Sequence, residues 1–403
     1  MSYRLLIEAQ PGETCALLID ADTGEPLDVY YDPPKDGRVP EFEDVFLGRI
    51  KKVDKTAGSA FVDIGNSLAP AFLPLSEAPE RITEGRIIPV KVVRIQTATK
   101  GAKVTAALSK KLRASLSPSD LSGEPRLIRA ATSGLEALLE LAPREVIVDG
   151  LKMFLDLKNR QANRQPLDSI TLIPYQALTP LWDSQGFRDL LRSLCKGEVA
   201  LPSGGRLLIE PGETLTSVDV DSASHRGGGS RSAEIKAINL EAVTVLSRQM
   251  RLRALSGRIL VDLLQMDRQA DRKAVETALA EACRKDPEAL RIWPIYRSAL
   301  LEISRRRSKP PIHEALMKPV GSLGRSWVWR PEFCAFEAIR AVRREASLNP
   351  AARFEIACPP ECHAILSQGC AAEAFDGVQD RLGHRVRSVE QEDLTNFEIR
   401  QIG

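Results

Sequence analysis

Two strand-like segments, each carrying an aspartate and joined by one amphipathic helix, constrain the fold of this chain more than any other feature. "LPSGGRLLIEPGETLTSVDVDS" reads as a hairpin turning at "LPSGGR". In "AEIKAINLEAVTVLSRQMRLRAL", Ile235, Ile238, Ala242, Val245 and Gln249 recur at helical spacing. Ser230 or Ser232 is placed to cap its start, and Gly257 its end. "RILVDLLQM" is then an apolar run of strand length with one charge, Asp262. Strand, helix and strand make a βαβ unit with parallel strands, whose functional groups gather at the strands' carboxyl ends. The period of two puts Leu215, Ser217, Asp219 and Asp221 on one face and Thr216, Val218 and Val220 on the other. If the strands are neighbours, about 5 Å apart, Asp219 and Asp262 face one another.

An aspartate inside an apolar strand is costly to bury unless paired or metal-bound. Two on adjacent strands repel, and a divalent cation relieves both problems. Hard oxygen donors with few histidines point to Mg²⁺, with Mn²⁺ possible, rather than zinc. The alternative is that Asp219 and Asp221 cap a turn while Asp262 pairs with Arg258 or Arg297. In "SHRGGGSR", Arg226 and Arg231 could grip phosphates and His225 could carry a proton, although solvated loops share this composition. The loop lacks the terminal "GK[ST]" of a P-loop.

At 403 residues the chain exceeds what one core serves, and its 43% hydrophobic content indicates a folded protein. Its 56 Lys and Arg nearly cancel 54 Asp and Glu, so any basic surface must be local. The segment before Pro33 and Pro34 reads as part of a sheet. From Glu41 to about Ala107, short strands and Gly-marked turns suit a small closed barrel. There Phe61 and Phe72 lie among Lys51, Lys52, Lys91, Arg94, Lys100 and Lys103. Rings interleaved with cations suit single-stranded nucleic acid, and equally suit core rings beneath a solvated basic face. Residues 114–195 mix the helices "GLEALLELAP" and "GFRDLLRSLC" with the strand "REVIVDG" and a charged stretch, "DLKNRQANRQ". Arg305, Arg306, Arg307 and Lys309 form the densest positive run. Seven scattered cysteines and the absence of an apolar leader suggest a reduced, cytoplasmic protein, and no stretch suits membrane insertion. "CPPECH", with Cys358, Cys362, His363 and perhaps Cys370, matches no standard zinc spacing.

Taken together, "VDVDS", "NLEAVTVLSRQMRLRALSGRILVDLLQMD", "LPSGG", "LLEISRRR" and the upstream "FLGRIKKVDKTAGSAFVDIG...AFLPL" resemble the ribonuclease E/G family in family order. The resemblance implies an α/β, multidomain (α+β) chain. A ribonuclease H-like domain (residues 1–40 and 114–195) carries an inserted OB-fold β-barrel (41–113). A deoxyribonuclease I-like catalytic βαβ subdomain (196–315) and a small C-terminal α/β domain (330–403) follow. It also implies endonucleolytic cleavage of single-stranded RNA by Mg²⁺-activated water, giving a 5′-phosphate and a 3′-hydroxyl. Asp219 and Asp262 match the family's metal-binding aspartates, and Asp221 stands where the family usually has an asparagine that orients the site. Phe61, Phe72 and Lys100 match RNA-contacting positions, while Arg226, Arg231, Arg305, Arg306 and Arg307 are further candidates for phosphate contact. Three departures stand out. "SGEPRLIRAATSGLEALLELAP" replaces the longer region that holds the 5′-monophosphate pocket. The Cys-x-x-Cys zinc link is missing, so no zinc is expected and any homodimer would form without one. Gln265 replaces a frequent acid. The rival expectation is an RNA-binding protein of RNA or ribosome metabolism with little nuclease activity.

Overall fold

The computed structural model describes residues 2–34, 39–65, 69–79, 82–96, 101–163, 170–212, 214–222, 230–320 and 326–402. The chain divides into two compact units, one of residues 1–35, 134–305 and 311–403 and the other of residues 36–133 and 306–310. The first three strands, β1 (Tyr3–Gln10), β2 (Glu13–Asp20) and β3 (Pro26–Asp32), form an antiparallel meander.

The second unit is a mixed-sequence barrel of OB-like form. Strands β4 (Val45–Asp54), β5 (Ser59–Asp63), β6 (Ala71–Pro74), β7 (Ile87–Arg94) and β8 (Lys103–Thr105) close in the order β4-β5-β6-β8-β7 and back to β4. A sixth strand, β9 (Arg126–Arg129), pairs with β4. Alternation supplies the core: Ile50, Val62, Leu73, Val90, Val92 and Val104 point inward and are almost wholly buried.

Returning to the first unit, β10 (Glu145–Asp149) joins the meander parallel to β1. Helix α1 (Leu151–Ala162) leads to β11 (Thr171–Pro174), parallel to β10. Residues 156–162 of the charged stretch are thus the second half of a helix. It is held by burial of Leu157 and by a bidentate pair from Arg160 to Glu136.

After α2 (Phe187–Leu194) comes a six-stranded sheet: β12 (Glu198–Ala200), β13 (Arg206–Pro211), β14 (Thr216–Asp221), β15 (Gly257–Asp262), β16 (Leu290–Ile292) and β17 (Leu300–Arg305), in the order β12-β13-β14-β15-β17-β16. The expected βαβ unit is β14, α3 (Arg231–Leu252) and β15, with parallel strands. Ser230 caps α3 by accepting from the Ala233 amide. Its buried stripe is Ile238, Ala242, Val243, Leu246 and Met250, which packs with Val275 and Leu279 of α4 (Gln269–Ala282) onto Val218, Val220, Ile259, Val261, Leu301 and Ile303. Each of these side chains other than Ala242 contributes roughly 1.5–3 kcal/mol on burial. The helix stops at Leu252 rather than at Gly257. The Arg253 guanidinium turns to the carbonyls of Leu194 and Lys196, and Gly257 adopts φ +80° to open β15.

The chain ends with a hairpin, β18 (Met317–Val320) and β19 (Ser326–Trp329), then α5 (Pro331–Leu348), β20 (Arg353–Cys358), α6 (Pro360–Ser367), α7 (Ala372–Arg381), β21 (Val386–Glu390) and β22 (Glu398–Ile402). The last three strands make a small sheet with β20 central. Among the described residues, no helix is long and apolar enough to cross a membrane.

Candidate active site

The six-stranded sheet covers only one face with helices. The other is open, and strand alternation sends alternate residues of β13, β14, β15 and β17 onto it. Asp219 and Asp262 are register partners across the parallel pair β14–β15, and both are exposed. Leu208 on β13 stands opposite Asp219, and Leu300 on β17 opposite Asp262. The row across four strands is therefore Leu208, Asp219, Asp262, Leu300, two carboxylates between half-buried leucines. The expectation of buried carboxylates is corrected: among the described residues this face carries no helix, and both stay exposed. The alternative, an ion pair from Asp262 to Arg258 or Arg297, is also absent among the described residues. Arg258 pairs with Glu302 at 3.3 Å, and the Arg297 carbonyl accepts from Gln265 at 2.8 Å. Among the described residues, neither Asp219 nor Asp262 has an ion pair.

Two neighbours shape the pair. Asn239 of α3, fully buried, donates from Nδ2 to the Leu264 carbonyl at 2.8 Å and accepts from the Leu264 amide at 3.0 Å. This bracket fixes the chain two residues beyond Asp262. The lone amide in "INLEAV" could have signalled it, since a polar side chain on a buried helix stripe requires partners. Asp221 meets its own register partner, Arg206 of β13, whose Nε donates at 2.9 Å. That bond holds the Arg206 guanidinium above its ordinary pKa.

On the barrel, Lys52 pairs in register with Phe61, Phe61 with Phe72, and Phe72 with Lys103, across β4, β5, β6 and β8. Phe61 is 37% exposed and meets Phe72 edge-to-face at 6.4 Å. Neither ring belongs to the barrel core. Two rings flanked by two cations form one continuous stripe, with Lys103 held at 2.8 Å by Glu77.

A sequence profile described as the Ribonuclease E/G family matches residues 96–308, over half of the chain and inclusive of both aspartates. The chain belongs to this family. It is 24% identical to ribonuclease G of Haemophilus influenzae over 98% of each chain. The 491 aligned positions exceed this chain's 403 residues, so it reaches both ends of that relative while omitting internal positions. It is 35% identical to ribonuclease E of Escherichia coli over 172 residues, 42% of this chain and 16% of that protein. Ribonuclease G of Escherichia coli is 27% identical over 56% of this chain and 46% of its own length. The chain thus spans a quarter or less of the ribonuclease E proteins it matches.

The remaining candidates separate by position. Lys100, His225 and Arg226 lie outside the described residues. Arg231 is exposed at the first residue of α3. Arg306 lies over the Phe42 ring at 4.7 Å, and Arg307 is half-buried. Arg305 corrects the expectation of a phosphate contact. It is 3% exposed, its guanidinium binds Asp286 at 2.9 Å and the Leu255 carbonyl at 2.8 Å, and no face is left for RNA. Cys334, Cys358 and Cys362 lie in the apolar core of the C-terminal segment. Burial pushes the Cys334 thiol up to about 12.

Proposed function

We propose that this chain is a divalent-metal-dependent endoribonuclease that cuts single-stranded RNA in processing or decay, leaving a 5′-phosphate and a 3′-hydroxyl. The observation that carries this reading is the register pairing of Asp219 with Asp262 on the open face of the family-matching segment. Two hydrated carboxylates side by side offer hard oxygen donors, and Mg²⁺ is commonly held by one or two carboxylates with water completing the shell. Asp219 and Asp262 would hold Mg²⁺, or Mn²⁺ in its place. When bound, such a cation supplies an activated water and neutralises charge developing on the phosphodiester.

The chain's own groups do the rest. Asn239 keeps Asp262 in place through Leu264, and Asp221 adds negative charge to the same face, tempered by Arg206. The stripe Lys52, Phe61, Phe72, Lys103 stacks bases and meets phosphates. Arg226, Arg231, Arg306 and Arg307 add phosphate contacts. In this reading the β1–β3, β10 and β11 sheet is the ribonuclease H-like domain and the six-stranded sheet the deoxyribonuclease I-like one. One observation favours a second reading, an RNA-binding protein with little cleavage. Among the described residues, no three acidic, cysteine or histidine groups converge where a metal could sit.

The deciding experiment incubates end-labelled single-stranded RNA with the purified chain in Mg²⁺ and in chelator. Cutting is expected only in Mg²⁺ and only with Asp262 intact, while Asp262→Asn still binds RNA. Cleavage that survives Asp262→Asn overturns the proposal. Equal RNA affinity with and without Mg²⁺, and no product, establishes the second reading.

A further inference from the structure

Beside the aspartate pair, the edge strand β16 and the turn that follows it carry cations and aromatic rings to which the proposed chemistry has given no role. Arg291 of β16 is in register with Ser304 of β17, itself in register with Arg258 of β15, so Arg291 shares the open face. Its guanidinium lies 4.6 Å from the Trp293 ring centroid, and the Trp293 amide donates to the Glu302 carbonyl at 3.0 Å. Arg291 is exposed and Trp293 half-buried, so the cation is held over a ring anchored to the sheet.

Three residues further on, Tyr296 is 52% exposed, a large aromatic surface left in water. The backbone beneath it is tied down. The Tyr296 amide donates to the Leu300 carbonyl at 2.9 Å and the Ala299 amide to the Tyr296 carbonyl at 3.0 Å. Ala299 is buried at φ +65°, a conformation that non-glycine residues rarely hold without support. The turn is also pinned to the aspartate strand. The Leu263 amide donates to the Ala299 carbonyl at 3.3 Å, and Gln265 holds the Arg297 carbonyl. From Tyr296 to Leu300 and from Leu300 to Asp262 are two strand spacings, about 10 Å in all. Arg297, beside Tyr296, is exposed, and among the described residues neither Arg291 nor Arg297 has an ion pair.

We infer that Tyr296 and the Trp293-backed Arg291, with Arg297, form a stacking platform for bases of single-stranded RNA flanking the phosphate at Asp219 and Asp262. The open face needs one. Asp219, Asp262 and Glu210 lie on it without an ion pair among the described residues and repel a polyanion, so a strand that approaches must be gripped by cations and by its uncharged bases. Tyr296 offers a ring face to one base, and the Arg291 guanidinium, already over the Trp293 ring, is placed to meet another base or a phosphate. This rests on RNA being the substrate, and it names residues far from the barrel stripe in sequence and distinct from it in chemistry.

The test uses the full chain and a fluorescent single-stranded RNA in chelator, with binding read by anisotropy. Tyr296→Ala weakens binding roughly 5- to 150-fold, the range one stacked base supplies, and Tyr296→Phe restores it. An RNA with one base removed at the stacking position binds the intact chain and Tyr296→Ala equally. Arg291→Ala lowers the slope of log affinity against log salt by about 0.7, the value for one phosphate contact on a single strand. These variants lie on the surface, so folding is checked by an unchanged melting curve. If Tyr296→Ala and Arg291→Ala bind and cut as the intact chain does, the platform is overturned while the nuclease reading stands. If the binding losses appear but no RNA is cut in Mg²⁺, the platform stands and the nuclease reading falls.

Discussion

Glu8 stands directly opposite Asp149 on the parallel strands β1 and β10, the relationship that Asp219 has to Asp262 on β14 and β15. The two pairs are handled in opposite ways. Glu8 and Asp149 are buried, and α5 brings them guanidinium groups: Arg340 donates to Glu8 at 2.5 Å and also binds Glu13, while Arg343 reaches Asp149 at 2.8 Å. Arg340 also lies 3.8 Å from the centroid of the Trp182 ring. Like charges on neighbouring strands need a cation. The first sheet receives it from its own chain, and the second leaves its carboxylates open to one from solution. The same backbone arrangement thus yields a structural clamp in one sheet and a candidate catalytic site in the other.

Arg340→Met would leave Glu8 and Glu13 buried without their shared cation. Breaking a buried pair from one side costs about 3–5 kcal/mol. A large fall in the urea midpoint is expected, whereas Arg258→Ala, which removes an exposed pair with Glu302, changes stability by less than about 1 kcal/mol. Equal midpoints for the two variants would contradict the buried cluster.

Asn239→Ala removes the bracket and deprives the amide and carbonyl of half-buried Leu264 of these partners, at about 1–3 kcal/mol. Because Asn239 touches neither aspartate side chain, its effect on cleavage comes through the position of Asp262. Losses of this kind run at about 10- to 100-fold. They should fall on kcat with KM held, and a variant that folds and cuts at the normal rate would remove Asn239 from the site.

The aspartate pair was legible because it depends on two periods only, two for the strands and three-to-four for the helix between them. The openness of its face was not. "ILVDLL" is apolar at every position around Asp262, so Leu260 on the open face cannot be told by type from Val261 on the closed one. Arg305 was readable but misread. Its place in the strand alternates with Leu301 and Ile303 toward the core, yet its neighbours Arg306 and Arg307 make it look like part of a surface charge run. The clamp at Arg340 joins positions 332 residues apart, which no local pattern carries.

Alkaline solution should destabilise the fold through its thiols. Burial holds Cys195 and Cys334 up to about 12 and Cys283 up to about 11, against an ordinary 9.0. Above pH 9 the unfolded chain releases these protons while the folded chain keeps them, so the folded state binds more protons and stability falls with pH. Each thiol contributes at most about 1.4 kcal/mol per pH unit. Desolvation draws Arg253 down to about 10, which acts in the opposite sense above that pH. The clean window is therefore pH 9 to 10. Melting temperatures should fall across it, and less steeply in Cys195→Ala; a flat profile would count against these buried thiols.

Asp221 lies two residues along β14 from Asp219, about 7 Å away on the same face. Its charge is shared between Arg206 and anything held by Asp219 and Asp262. Asp221→Asn removes that charge and leaves Arg206 with Glu198 alone as its carboxylate partner, at 3.4 Å. Both effects disfavour a divalent cation nearby, so the Mg²⁺ concentration for half-maximal cleavage should rise roughly 3- to 10-fold, as Coulomb's law gives for one charge at this distance in a largely aqueous setting. Arg206→Ala takes a cation away and should lower the requirement. The double variant should fall between the two, and all shifts should shrink at high ionic strength. Asp221→Asn with an unchanged Mg²⁺ midpoint at low salt would mean that Arg206 has already neutralised Asp221, making the acid at this position a structural partner of β13 and not part of the metal's surroundings.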